Sequence, residues 1–272
     1  MEAKVPEAKV ETRPMKSAQQ AEPGVALDQP CSPIVDLRQY TLFPETRDAF
    51  IELFDREFVE TQEAVGIRVI GQFRDLGDPN RFVWMRGFAD MPSRERALTA
   101  FYVHGAAWKA HSETARAMMI DSTDALLLHP VRANEGFKLD PPSRRPTLES
   151  APPAGLIVAT VYSLNDAPNA GFTAFFEDVA TPQLINAGAS MLPSFETEPS
   201  PNNFPRLPLR EGENILVSFC GFESLSRYHD HMTALGRNQR WRGEVAPALR
   251  QLVRGRPQTL RLVPTSRSQL RA

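Results

Sequence analysis

The sequence predicts an α+β protein made of two ferredoxin-like βαββαβ repeats, and three observations carry the prediction. Strand-like and helix-like segments run twice in the order βαββαβ, the split unit of ferredoxin-like folds. Residues recur at matching places in the two halves. Tyr40 aligns with Tyr162, Gly87-Phe88 with Gly221-Phe222, and Trp108 with Trp241, the tryptophans lying 21 and 20 residues after their glycines. Such recurrence is the mark of an internal repeat. A Pro-rich stretch, residues 132–155 with "LDPPSRRPTLESAPPAG", separates the halves and reads as a semi-rigid linker.

Each element of the first repeat, residues 34–131, has a local cause. "IVDLRQYTL" (34–42) reads as a strand. From Glu45 to Ala64, Phe50, Leu53, Phe54 and Phe58 fall near helical period. "GIRVIGQFRDL" (66–76) is a β-branched, alternating run, and the turn "GDPN" sends it into "RFVWMRGF" (81–88) as a hairpin. A helical stretch covers Pro92 to Met119, and "DALLLHPV" (124–131) closes the unit. The second repeat, residues 156–264, gives strands at 156–164, 190–197, 214–222 and 258–264, with helices over 170–187 and 224–252. Residues 1–33, with five prolines and few large apolar side chains, read as a disordered tail. Residues 265–272 read as a short C-terminal one.

Composition narrows the function classes. The chain has 272 residues, 42% of them hydrophobic and 24% charged, the balance of an ordinary globular protein. Its longest apolar runs fall far short of the ~20 residues that span a bilayer, so no membrane partner is expected. A net charge of −2 gives no reason to expect nucleic acid. The bias of 26 Arg over 5 Lys reads as the product of a GC-rich, bacterial genome. Two cysteines make no disulfide framework, and no apolar signal core stands in the first thirty residues, so the cytoplasm is the expected compartment.

The segments "VDLRQYTLFPETRDAFIELF", "GIRVIGQFRDLGDPNRFVWMRGFADMPSRERALTAFY" and "AAWKAH" resemble the NIPSNAP domain. That family opens on an E-L-R-x-Y-T-L strand, continues through an x-G-x-F strand and a hairpin, and carries a Trp further along. Asp36 stands here for the usual Glu, and Arg86 where an apolar residue is common. The second repeat resembles a degenerate copy. The resemblance implies the dimeric α/β-barrel superfamily, in which two ferredoxin-like sheets pack face to face, here as an intrachain barrel. It brings no agreed chemistry.

Alternation along the strands assigns side chains to faces. Val35, Leu37, Val69, Phe73, Val83 and Met85 are expected under the helices. Asp36, Arg38, Tyr40, Gln72, Arg74, Trp84 and Arg86 are expected on the opposite face, lining a cavity between the two sheets. Arginines there suit an anionic or planar ligand. Asp36 is a candidate general base, and His111, three residues after Trp108 on one helix face, a candidate acid or base. The competing interpretation is an Asp36–Arg38 ion pair at a sheet–sheet interface, with Trp84 as packing. Thr160, Ser218 and Cys220 occupy the places of Arg38, Trp84 and Arg86, so the second half contributes a small, neutral wall, and the first repeat is the better candidate for function.

No haem, flavin, nucleotide or metal motif occurs, and no cofactor is expected. His229 and His231, two apart on a helix, cannot share a metal face. The Arg-rich end, from Arg250 to Arg271, reads as surface charge. The expected function is therefore binding of a small anionic or aromatic organic molecule in the barrel cavity, with cofactor-free catalysis of monooxygenase, isomerase or lyase type, self-association being compatible. The alternative is a non-catalytic interaction module. A filled barrel would favour the module, and an open pocket around Arg38 and Trp84 the ligand.

Overall fold

Eight strands close into one antiparallel barrel in the order β1-β3-β2-β8-β5-β7-β6-β4. In this computed structural model, residues 31–167 and 170–272 are described. The strands are β1 (Ile34–Leu42), β2 (Arg68–Asp75), β3 (Arg81–Phe88), β4 (Met119–Pro130), β5 (Leu156–Ser163), β6 (Ser190–Thr197), β7 (Ile215–Phe222) and β8 (Gln258–Pro264). Each half supplies a ferredoxin-like sheet. The last strand of each sheet pairs with the second strand of the other, β8 with β2 and β4 with β6. These two seams join the repeats into a single ring, so the intrachain barrel expected from the sequence is the observed fold.

Among the described residues six helices of more than one turn lie outside the ring: α1 (47–63), α2 (91–104), α3 (Ala106–Ala117), α4 (170–186), α5 (Leu225–Arg237) and α6 (241–252). The repeats match in detail. In each, a Gly-Phe pair ends the third strand, and a capping side chain follows two residues later. Asp90 accepts from the Ser93 amide at 2.6 Å, and Ser224 from the Arg227 amide at 3.2 Å. Four helices widen into a π turn, Phe54–Phe58 and Phe176–Ala180 at equivalent places in the two repeats, Ala100–His104 and Trp241–Val245 at different ones. Such turns are rare and concentrate at functional sites. The single long helix expected over 92–119 is broken at Gly105, whose ψ of 128° leaves the helical region.

The lumen is filled, and by the opposite face from the one expected. Val35, Leu37, Phe73, Val83 and Met85 point into the barrel, where they meet Ile157, Val161, Val217, Phe219 and Leu262 from the second half. All of these are almost fully buried. Asp36, Arg38, Tyr40, Trp84 and Arg86 lie under the helices instead. Along β1 and β3 alternation groups side chains into faces correctly, but both faces of this sheet are covered, so the apolar set need not be the helix-facing one. Val69 is the exception: it packs under the helices as expected, and on the opposite face from Phe73. A bulge explains this: β2 pairs Val69 with Arg86 and then Gly71 with Met85, which leaves Ile70 as the extra residue and sends it inward. Gly71 is required there, because a Cβ would stand 2.5 Å from the Phe73 ring.

Segments expected as tail and linker close the barrel ends. The proposed N-terminal tail lies outside the described residues up to position 30, but Cys31 and Ser32 are buried. In the linker, Phe137 enters the lumen, its ring 4.9 Å from Phe195 and 5.2 Å from Phe219. Leu270 enters the same apolar cluster, its amide donating to the Ile70 carbonyl at 2.9 Å. Residues 265–272 are thus a packed strap rather than a tail, and Arg267, expected as surface charge, is buried. Arg145 of the linker ties the strap to the sheet, donating to the Arg267 carbonyl at 2.7 Å and to Glu63 and the Val69 carbonyl. At the other end Gln39 and Gln258 exchange amide hydrogen bonds of 3.1 and 3.0 Å.

Two outcomes follow from this packing. Phe195→Ala removes a fully buried ring from the lumen and should cost ~3–5 kcal/mol in a denaturant titration. Asp55, on α1 beneath the strap, is buried with one carboxylate oxygen unbonded, and burial pushes its pKa up to about 6 against the pull of Thr265, Arg267 and Arg145. The folded state therefore holds this proton up to about pH 6, whereas the unfolded chain releases it near 3.8. Stability contributed by the group is full below 3.8 and lost as pH rises through 6. Asp55→Asn should gain ~2–3 kcal/mol at pH 7.5 and nothing at pH 4, measured by paired denaturation curves.

Candidate functional site

The outward face of the first repeat holds a charge cluster that a bare sheet surface would not need. Register sets it up: β1 and β3 pair Asp36 with Arg86 and Arg38 with Trp84. Asp36 accepts from Arg86 through Oδ2, with contacts of 2.9 and 2.8 Å, and from Arg94 of α2 through Oδ1 at 3.1 Å. Arg38 approaches the same carboxylate only to 4.0 Å. Its Nε donates to the Tyr40 hydroxyl at 3.3 Å and its Nη2 to the Ser122 carbonyl at 3.1 Å, while its Nη1 makes no hydrogen bond. All four charged side chains are fully buried. Burial works to raise the Asp36 pKa, but Arg86, Arg94 and Arg38 outweigh it and hold the carboxyl below the usual range. Three guanidiniums thus share one carboxylate, an excess of buried positive charge.

Aromatic rings separate this cluster from the helices and enclose a cavity of about 200 Å³. Tyr40, Phe50, Phe54, Phe58, Phe101, Tyr102 and Trp108 line it, with Gln62, Ser122, Arg116 and Arg206 as its polar groups. The π turns of α1 and α2 bring Phe54, Phe58, Phe101 and Tyr102 to its wall. Tyr102 links ring and charge, since its hydroxyl accepts from Arg86 Nη1 at 3.1 Å. Burial raises the pKa of this phenol, and the neighbouring Arg86 opposes the rise only in part. Part of the wall comes from the other repeat. The β6–β7 loop crosses over the first half, where Asn203 and Asn202 accept from Arg94 at 2.7 and 3.2 Å and Phe204 sits 6.1 Å from the Tyr102 ring.

Among the residues singled out from the sequence, Asp36, Arg38, Tyr40, Trp84, Arg86 and Trp108 come together in this one layer. Gln72 joins their face opposite Trp84, buried but outside the cavity wall. Two do not join them. Arg74 turns to the surface and pairs with Asp48 at 2.8 Å. His111 is half-buried behind Phe58, 3.4 Å from Glu57, and does not line the cavity. Asp36 is no free base, for both its oxygens are engaged by guanidiniums. Strand alternation and the repeat alignment point to none of Arg94, Tyr102, Gln62 and the covering loop, which the structure adds to the layer. Arg94 was open to detection: with Ala97, Leu98 and Phe101 it completes an i, i+3, i+4, i+7 apolar stripe, where a lone arginine needs a buried partner. The loop left no such signal.

A closed eight-stranded ring made of two ferredoxin-like sheets defines a dimeric α/β barrel folded from one chain. Residues 35–133 match the NIPSNAP family model, so the first repeat is a NIPSNAP domain. No curated protein matches the chain. Among solved structures, an anthrone oxidase-like protein aligns with 11% identity and a TM-score of 0.56, over 91% of this chain and 98% of its own. A candidate monooxygenase from Fusobacterium nucleatum aligns with 10% identity and a TM-score of 0.53, over 86% and 93%. A NIPSNAP-like domain protein from Burkholderia xenovorans is 27% identical over 37% of this chain and 86% of its own, with a TM-score of 0.33. At these identities the two long alignments establish shared fold. Among the described residues no helix is long and apolar enough to cross a membrane, and no group of three or more His, Cys, Asp or Glu is placed to hold a metal ion.

Removing one partner from a buried ion pair leaves the other without compensation. Arg86→Met, of similar length and apolar, should therefore lower stability by ~3–5 kcal/mol in urea denaturation. A neutral result would show that Arg94 and Arg38 suffice to hold Asp36.

Proposed function

We propose that the protein binds a small aromatic anion in the cavity of the first repeat. The observation that carries this reading is the excess of buried positive charge behind an aromatic wall. Three guanidiniums face one carboxylate, and Arg38 bonds Tyr40 and Ser122, which line the cavity, so its charge stands directly behind that wall. Uncompensated buried charge is costly, and a ligand carboxylate or phenolate in the cavity would offset it. The volume suits a single ring, since an apolar cavity of ~150 Å³ holds benzene. Arg116 and Arg206, exposed at the mouth, add to the attraction for an anion. The site lies between sheet and helices, not in the barrel lumen, which is filled.

A second reading, cofactor-free catalysis on the bound molecule, is favoured by Tyr102. Its oxygen already accepts from Arg86, so its own proton is left for a ligand oxygen. A phenol kept protonated by burial and backed by a guanidinium is suited to stabilise an oxyanion as charge develops. Monooxygenase chemistry enters here only through the names of the structural neighbours, and shared fold does not fix reaction.

Titration of the full chain with benzoate and with its neutral isostere benzamide tests the proposal. Benzoate should bind at least tenfold more tightly. Arg38→Met should erase that preference, a loss of ~1.5–3 kcal/mol for one charge-assisted bond, while leaving the melting temperature within a few degrees. Equal binding of acid and amide to the wild-type chain would sink it.

A further inference from the structure

We infer that the second repeat holds an independent site for an uncharged, mainly apolar organic molecule bearing one hydroxyl. The site shares no lining residue with the first-repeat cavity and goes beyond the function proposed above.

Register identifies what the second repeat has lost. β5 pairs with β7 as β1 pairs with β3, which puts Val158 and Cys220 at the places of Asp36 and Arg86, and Thr160 and Ser218 at those of Arg38 and Trp84. A charge cluster and an indole are replaced by four small, neutral side chains. The space they vacate is a cavity of about 620 Å³ between sheet and helices, against about 200 Å³ in the first half. That lies within the ~300–1,000 Å³ of small-molecule sites. Cover differs as well. The β6–β7 loop, residues 198–214, folds over the first site, whereas its counterpart between β2 and β3 is the short turn 76–80. The second cavity is therefore both emptier and open to solvent.

Its chemistry selects the ligand. The inner groups are neutral at pH 7: burial pushes the Cys220 thiol and the Tyr162 hydroxyl each up to about 12, the latter against the opposing pull of Ser218 and Thr160. No buried counter-charge lines the wall, so a charged ligand would lose hydration without compensation. Arg242 and Arg250 stand exposed at the rim, where an ion pair is worth little. His231 supplies an acceptor for a ligand hydroxyl. Its Nδ1 lies 3.2 Å from the Ala187 carbonyl, and a carbonyl only accepts, so Nδ1 carries the proton. Burial lowers the pKa of the ring and keeps it neutral. Nε2 is then left as an acceptor among Leu235, Trp241 and Leu249, on a wall that also carries the hydroxyls of Thr160, Ser218, Tyr228 and Thr259.

Isothermal titration of the full chain with 2-naphthol tests this. Binding is expected, and benzoate should not displace it. Ser218→Trp installs the indole that the first repeat carries at that place, and should weaken 2-naphthol at least tenfold while leaving benzoate unaffected. His231→Phe keeps a ring without the acceptor. It should weaken 2-naphthol roughly tenfold and leave naphthalene within twofold, as expected for one hydrogen bond. The Phe variant decides the matter should the Trp variant not fold. No binding to the wild-type chain, displacement by benzoate, or unchanged 2-naphthol affinity in either folded variant would overturn the inference. If benzoate fails to bind at all, the first-repeat reading falls and the 2-naphthol comparisons still stand.

Discussion

Filling the lumen of a closed eight-stranded barrel is the constraint on which the rest of this structure depends. In a ring of this size the inward side chains of every strand meet at the axis and must fill it. Here Val, Leu, Ile, Phe and Met do so from both halves, with Phe137 and Leu270 completing the packing. Because side chains alternate along a strand, this commits every intervening residue to the outer face. Asp36, Arg38 and Arg86 cannot be in the lumen once Val35, Leu37 and Met85 are. They meet the helices instead.

The two repeats solve the problem of the outer face differently. In the first, a carboxylate, three guanidiniums and a layer of aromatic rings fill most of the space between sheet and helices, and a loop from the other half covers it. Buried ion clusters of this kind add little net stability over apolar packing, because desolvation offsets the attraction. Their arrangement is better understood as fixing a particular distribution of charge. In the second repeat the same register positions carry Val158, Thr160, Ser218 and Cys220, and the space is left open. One fold thus presents two chemically distinct concavities on opposite sides of a shared core.

Closure also explains why segments without regular structure are ordered. The ring has no free edge, but its ends expose the lumen, and the linker and C-terminal strap cover one of them. Arg145 and Arg267 hold these pieces to α1 and β2 through Glu63, Glu60 and main-chain carbonyls. Proline-rich composition argued for a semi-rigid linker, and a few large residues in such a stretch, Phe137 above all, were enough to dock it.

The strand and helix pattern was legible in the sequence because it is a local property. β1 and β3 span the residues expected of them, Ile34–Leu42 and Arg81–Phe88, since alternation, β-branching and turn chemistry act over a few positions. The repeat was legible too, and with it the pairing of Tyr40 with Tyr162 and of Arg86 with Cys220. Which residues share a face followed from the same alternation. Which face looks inward did not, because both are covered and the choice is settled by what the other sheet presents. The bulge that separates Val69 from Phe73, the docking of the β6–β7 loop on Arg94, and the turning of Arg74 toward Asp48 are likewise decided by contacts between residues far apart in the chain. Sequence alone determined the elements, the duplication and the set of charged and aromatic residues available for function. The tertiary structure decided on which side of the sheet they meet, because only a closed barrel says which half of each strand must fill it.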